Sequence, residues 1–186
     1  MTCDIHNPYL EEFEKIGGEV NFVASVQRNT LVREYAWAVP TTEAIEAIVR
    51  YSPIVEIGAG TGYWAKLVDD CGGDIIAFDA LPPSLKKNPQ ARGQWYNIEI
   101  GGPTKAKEYS DRTLFLCWPP YNETFAQDCL DYYKGDTLIY VGEGPGGCTG
   151  DDAFHETLRR EWKIVEHVDM PAWMGLHDYM TIHKRK

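Results

Sequence analysis

The apolar positions of this chain change their spacing near residue 51. Upstream they follow a helix. Leu10, Phe13 and Ile16 line one helical face up to Gly17-Gly18, a pair that stops a helix. Ala44, Ile45, Ala47, Ile48 and Val49 follow Pro40-Thr41-Thr42-Glu43, the signature of an N-capped helix. Ser52-Pro53 ends it, because a residue before proline is pushed out of helical angles. Residues 8–50 are therefore expected to be helical. Downstream, apolar residues gather into short runs that end in glycine, proline or acidic turns: 54–57, 75–78, 95–100, 113–117 and 137–141, then 164–168 and 179–183. Near-continuous apolar runs suit strands covered on both faces. Segments of helical composition separate most of them, at 63–71, 122–133 and 151–162, while 81–94 is proline-rich and polar. Strands alternating with helices predict a doubly wound α/β sheet, with its ligand cleft at the carboxyl ends of the central strands.

Length and charge narrow the function classes. A chain of 186 residues, 44% apolar and 25% charged, suits one domain spanning 1–186, a helical segment at 1–50 and an α/β core at 51–186. Its 18 basic and 28 acidic side chains give 18 − 28 = −10, a field that disfavours broad nucleic-acid binding. Cys3, Cys71, Cys117, Cys129 and Cys148 are dispersed and lack CxxC spacing. They predict no metal site and reduced, packed thiols. The N-terminus lacks a basic start followed by an apolar stretch, and no run of roughly 18 apolar residues is present. The expectation is a cytoplasmic protein without a membrane partner.

The most specific motif is Glu56-Ile57-Gly58-Ala59-Gly60-Thr61-Gly62-Tyr63, where the first predicted strand meets a helix. Glycines there let the backbone pass close under a ligand. The next strand ends in Phe78-Asp79, and a carboxylate at that point can accept from both hydroxyls of a ribose. Dinucleotide sites favour glycine where Tyr63 stands. The form acid-x-Gly-x-Gly-x-Gly instead resembles the first motif of the class I S-adenosylmethionine-dependent methyltransferases. The resemblance implies a Rossmann-like, three-layer α/β/α fold, mostly parallel, with an antiparallel last strand. It implies that Glu56, Gly58, Ala59, Gly60 and Gly62 lie against the methionine part of S-adenosylmethionine. Asp79 would hold the ribose, with the adenine near Ala80 and Leu81.

Trp118-Pro119-Pro120-Tyr121 closes the fourth predicted strand. It resembles the proline-pair motif of amino-methylating members of that family, in which Asp, Asn or Ser precedes the prolines. The resemblance places Trp118, Pro119 and Tyr121 at the methyl-transfer site, with Tyr121 as a stacking residue. Trp118 departs from the pattern, since an indole donates a hydrogen bond but accepts none from an amine. Backbone carbonyls are then left to accept.

Two further loops belong to the cleft. Glu143 opens a glycine-rich loop, 142–150, as a candidate base or substrate anchor, and Asp151 or Asp152 can cap the helix beyond. An antiparallel last strand, as the resemblance implies, would hang residues 170–178 over the site and bring Trp173 and His177 near substrate. His177 and Asp178, being adjacent on a strand, point to opposite faces and make no dyad. Tyr35 to Pro40 can close over the methionine end, although core packing is the stronger expectation for Trp37. These features predict S-adenosylmethionine-dependent methyl transfer to a small molecule or an exposed protein or peptide group. RNA or an isolated base is left open by the proline pair. A non-catalytic cofactor-binding module and an NAD-dependent oxidoreductase are the alternatives.

Overall fold

β1 (Ile54–Ile57) is buried along its whole length, and the sheet is built outward from it. In the computed structural model, which describes residues 3, 5–16, 22–85 and 92–186, seven strands run in the order β3-β2-β1-β4-β5-β7-β6. β2 (Ile75–Asp79) and β4 (Thr113–Cys117) flank β1 in parallel, pairing Ile54 with Ile75 and with Thr113. β3 (Ile98–Ile100) adds to β2 and β5 (Thr137–Gly142) adds to β4, both in parallel. β7 (Tyr179–Arg185) is antiparallel to β5 and to the edge strand β6 (Trp162–Asp169). Gly142 therefore faces Tyr179, so the chain enters β7 at the carboxyl ends of the parallel strands.

The central strands β1, β4 and β5 are covered on both faces, which explains their near-continuous apolar runs. One face packs α1 (Pro8–Ile16), α3 (Thr42–Arg50) and α4 (Tyr63–Asp70) through Tyr9, Ile45, Ile48, Trp64 and Leu67. The other packs α5 (Lys105–Glu108), α6 (Phe125–Tyr132) and α7 (Asp152–Glu161) through Ala106, Cys129, Leu130 and Phe154. α2 (Phe22–Glu34) runs on from the N-terminal segment, and Val32 is buried. Thr41 caps α3 by accepting from Ala44 N, and of the two acids before α7 it is Asp151 that caps, accepting from Phe154 N. The helix stop assigned to Gly17-Gly18 and the middle of the proline-rich segment, 86–91, lie outside the described residues.

Two expectations are corrected. The third strand covers 98–100 and not 95–100, because Trp95 leaves the sheet to strap the N-terminal segment. Its amide donates to Thr61 O at 2.8 Å, its indole donates to Glu34 O at 2.7 Å, and its ring stacks on Tyr35. The cysteines are not all unpaired either. Folding brings α4's C-cap against residue 3, and Cys3 and Cys71 form a disulfide with Cα atoms 5.6 Å apart. Cys117, Cys129 and Cys148 are free. Among the described residues no helix is long and apolar enough to cross a membrane.

Candidate active site

The carboxyl end of β1 turns into α4 through a loop in which Gly58, Gly60 and Gly62 have φ of 83°, 58° and 76°, angles that disfavour a side chain. The loop is tied to the end of β2. Gly58 N and Ala59 N donate to Phe78 O, at 2.8 and 3.0 Å. Asp79 accepts from Gly60 N at 2.9 Å with one oxygen and from Leu81 N at 2.7 Å with the other. Thr61 donates its hydroxyl to Tyr35 O, joining the loop to the end of α2. A Cβ on Gly60 would meet nothing within 4 Å, so the loop presents bare backbone to open space there.

That space has two compartments. An inner cavity of about 60 Å³ lies among Glu56, Ala59, Thr61, Trp64 and Tyr35. An outer cleft of about 470 Å³ is walled by Asp79, Ala80, Leu81, Trp118, Pro119 and Phe125. Trp37, Gly58, Gly60 and Cys117 line both. Glu56, on the inner wall, is 1% exposed, and its Oε2 has no hydrogen-bond partner. Burial, with the charge of Asp79 added, pushes its carboxyl up to about 8. A buried carboxyl without a partner is costly and becomes favourable once a cation reaches it.

The end of β4 forms the opposite wall. Trp118 has φ 50°, unusual for a bulky residue, and its amide donates to Val141 O at 2.8 Å. Its indole N–H donates to Asp178 Oδ1 at 2.7 Å, and its ring stacks on Trp37 with centroids 5.2 Å apart and an interplanar angle of 11°. The guanidinium of Arg28 lies 5.7 Å from the Trp37 centroid. Asp178 is buried and its Oδ2 lacks a partner. Burial raises its carboxyl to about 6 despite the bond from Trp118.

No protein-family model matches the sequence, and no curated protein matches it. Solved structures do match by fold. The 1,6-didemethyltoxoflavin-N1-methyltransferase of Burkholderia thailandensis, with bound 1,6-didemethyltoxoflavin and S-adenosylhomocysteine, superposes with a TM-score of 0.54 at 16% identity, over 100% of this chain and 93% of that one. The magnesium protoporphyrin IX methyltransferase of Synechocystis PCC 6803, with bound S-adenosylmethionine, gives 0.50 at 10% identity over 95% and 91%. A Streptococcus mutans protein provisionally assigned as a methyltransferase gives 0.48 at 7% identity over 78% of this chain. There the chain spans about half, 49%, of the longer protein. The chain has the class I methyltransferase fold.

Within this methyltransferase fold, the loop residues Glu56, Gly58, Ala59 and Gly60 gather with Asp79 and Ala80 around the two compartments. Gly62 stands behind them as the N-cap of α4, where a Cβ would come within 2.9 Å of Tyr96 Cβ. Trp118 and Pro119 line the cleft, and Pro119 O accepts from Gly150 N at 3.0 Å. Tyr121 is 56% exposed and lines neither compartment. The ring that approaches the glycine loop is Phe125, whose Cζ would be 3.0 Å from a Cβ on Gly58.

The loop residues behave differently from expectation. Both oxygens of Glu143 are taken, Oε2 by Cys148 N at 2.7 Å and Oε1 by His177 N at 2.8 Å. Burial alone would raise this carboxyl, but those bonds outweigh it and hold it below the usual range. Glu143 thus fastens the glycine-rich loop to the chain entering β7. The His177 side chain is 87% exposed, and Asp178 is the member of the pair that turns inward. Trp173 is buried away from the cleft, donating to Tyr9 OH at 3.1 Å and packing edge-on against Phe13. Glu123 and Phe125 are the cleft-lining residues that sequence spacing did not single out. No local pattern marks them, and Tyr121, the aromatic directly after the proline pair, stays at the surface.

Proposed function

We propose that this protein is an S-adenosylmethionine-dependent methyltransferase, built as a single domain over 1–186. The observation that carries this reading is the buried carboxyl of Glu56 on the inner cavity, its Oε2 without a partner, with Asp79 at the rim of the adjoining cleft. The order of groups fits the cofactor. Glu56 suits an ammonium, the bare face of Gly60 allows close approach, and Asp79 at the end of β2 suits a pair of ribose hydroxyls. The bound ligands of the two fold relatives support the same cofactor.

The sulfonium supplies the methyl group and a neutral thioether leaving group. In-line displacement needs alignment and a dry site more than it needs an acid or base. Here the glycine loop and Asp79 line one side, and the stacked Trp37–Trp118 pair lines the other. Leu81 and Phe125, on the cleft wall, provide apolar surface for a base. The acceptor in this reading is a small molecule or an exposed protein or peptide group, and the net charge of −10 weighs against nucleic acid. A cytoplasmic location rests on the three unpaired thiols, with the Cys3–Cys71 pair as the opposing observation.

Calorimetric titration with S-adenosylmethionine and S-adenosylhomocysteine, NAD serving as control, tests the reading. Saturable binding of the sulfur compounds, weakened by Asp79→Ala and absent for NAD, is expected. No binding of either sulfur compound would sink it, and binding of NAD alone would favour an oxidoreductase. A second reading, cofactor binding without turnover, is favoured by Trp118 standing where amino-methylating relatives carry a polar group. Formation of S-adenosylhomocysteine with any acceptor decides against it.

A further inference from the structure

One wall of the inner cavity is N-terminal chain, contributed by Val32, Tyr35, Ala36 and Trp37. Side chains from further upstream fasten that wall to the α/β core. Asn7, 6% exposed, donates to Pro40 O at 2.7 Å and accepts from Tyr63 OH at 2.8 Å, which pins the stretch 35–40 to the start of α4. Tyr9 stacks on Tyr35 with centroids 5.1 Å apart, and its amide donates to the same Tyr63 hydroxyl at 3.4 Å. Tyr63, standing where a dinucleotide site favours glycine, therefore serves the wall. Just upstream of Asn7 and Tyr9, Cys3 is bonded to Cys71 at the end of α4, and its amide donates to Glu46 Oε1 in α3 at 2.8 Å. Both cysteines are partly exposed, which gives a thiol access to the bond. Cys117, Cys129 and Cys148 are free, and where thiols are kept reduced a disulfide is usually transient and redox-sensing.

We infer that the Cys3–Cys71 pair is a redox switch on cofactor retention: the disulfide holds Asn7 and Tyr9 against Tyr63, keeping the N-terminal wall closed on the cofactor, and reduction loosens it. The inference rests on the proposed methyltransferase reading and names a regulation of that same site. The reductant is a dithiol. Its thiolate attacks one cysteine sulfur, the S–S bond breaks as a mixed disulfide forms, and its second thiol then displaces that cysteine. Two electrons and two protons pass to the protein, leaving two cysteine thiols and an oxidised reductant. The cross-link joins residues 68 apart, so it removes detached conformations of the first residues that the reduced chain regains. All seven strands lie beyond residue 50, so this segment can loosen without opening the sheet. The bonds of Asn7 that remain are individually modest, and apparent affinity falls with the fraction of molecules whose wall is closed. Linkage is reciprocal, so a bound cofactor makes the disulfide harder to reduce.

The test titrates S-adenosylhomocysteine into the full chain, oxidised with glutathione disulfide or reduced with dithiothreitol. Thiol counting after denaturation should give three in the first form and all five in the second. Reduction is expected to weaken binding about tenfold, chiefly through faster dissociation. Cys3→Ser should show the reduced affinity under both conditions. Tyr63→Phe keeps the disulfide but removes the hydroxyl that Asn7 and Tyr9 share, so it should bind weakly even when oxidised. Hydrogen exchange without ligand should rise in α1 on reduction while β1 and β4 stay protected. Equal affinity of the two wild-type forms overturns the inference, as do five thiols after oxidation or full affinity in oxidised Tyr63→Phe. So does lost protection in β1 and β4, which would make the disulfide a support of the whole fold, or a reductant response that persists in Cys3→Ser. In those cases the cofactor reading stands. Failure of S-adenosylhomocysteine to bind the oxidised wild type removes the methyltransferase reading, and the inference with it.

Discussion

Trp118 donates its indole N–H to Asp178 across 2.7 Å and 60 residues of chain, joining the end of β4 to the entry of β7. The bond makes the cleft wall depend on a carboxylate that no local motif contains. Asp178→Leu should leave the indole N–H buried and unsatisfied, at a cost of about 1–3 kcal/mol in urea unfolding. Asp178→Asn keeps an acceptor and should cost less.

The same carboxyl gives a pH signature. Its ordinary value of 3.8 is raised to about 6 in the fold, so the folded state binds the extra proton between them. Its contribution to stability is complete below about pH 4 and is lost as pH rises through about 6. The loss is at most about 3 kcal/mol. Thermal melts of the wild type between pH 4 and 7 should show this decline relative to Asp178→Asn. Parallel curves would remove Asp178 as its source.

Glu56 carries the larger effect of the same sign. Its carboxyl is raised from 4.5 to about 8 by burial first and Asp79 second. Stability is therefore lost as pH rises from about 5 through 8, by about 3–5 kcal/mol. Glu56→Gln should be more stable than the wild type at pH 8.5 and close to it at pH 5. If an ammonium meets this carboxylate, S-adenosylmethionine binding at pH 7 should release close to one proton in the wild type and none in the variant. Calorimetry in buffers of different ionisation enthalpy reads this directly.

Glu143 and His177 separate two ideas about the loop over the cleft. The carboxylate holds two backbone N–H groups from separate segments, whereas the imidazole is almost wholly exposed. Glu143→Ala should cost about 2–3 kcal/mol and loosen hydrogen-exchange protection at Cys148 and His177. His177→Ala should stay within about 0.5 kcal/mol. A large activity loss in His177→Ala without loss of stability would instead return the imidazole to the chemistry.

What could be read from the chain and what could not divides along sequence distance. β1 and β4 coincide with their predicted bounds, because strands covered on both faces write themselves as near-continuous apolar runs. The Thr41 cap and the glycine loop are equally local. Trp37 against Trp118, Phe125 against Gly58, and Cys3 with Cys71 are pairings between distant segments, and no periodicity encodes them. Trp173 shows the converse, since the loop that carries it reaches the cleft while its own ring is drawn off by Tyr9 and Phe13. Asp178 was visible as an acid beside a histidine, but only the fold gives it an indole to hold.

Two glycines of one loop should respond differently to the same substitution. Gly60 and Gly62 both have positive φ, so alanine at either costs roughly 1 kcal/mol in backbone strain. At Gly62 the new Cβ would also come within 2.9 Å of Tyr96 Cβ and 3.1 Å of Ile98 Cδ1, so Tyr96 and the start of β3 must shift. Gly62→Ala should therefore lose clearly more stability, about 2–4 kcal/mol in total. At Gly60 the Cβ enters open space, so stability should fall by little beyond the strain. That open space is the cradle assigned to the cofactor, and Gly60→Ala should weaken S-adenosylhomocysteine binding tenfold or more, roughly the cost of a steric intrusion of 1.4 kcal/mol. Measuring unfolding and binding on both variants distinguishes a loop glycine kept for packing from one kept for a ligand. Full affinity in a folded Gly60→Ala protein would move the cofactor off this loop.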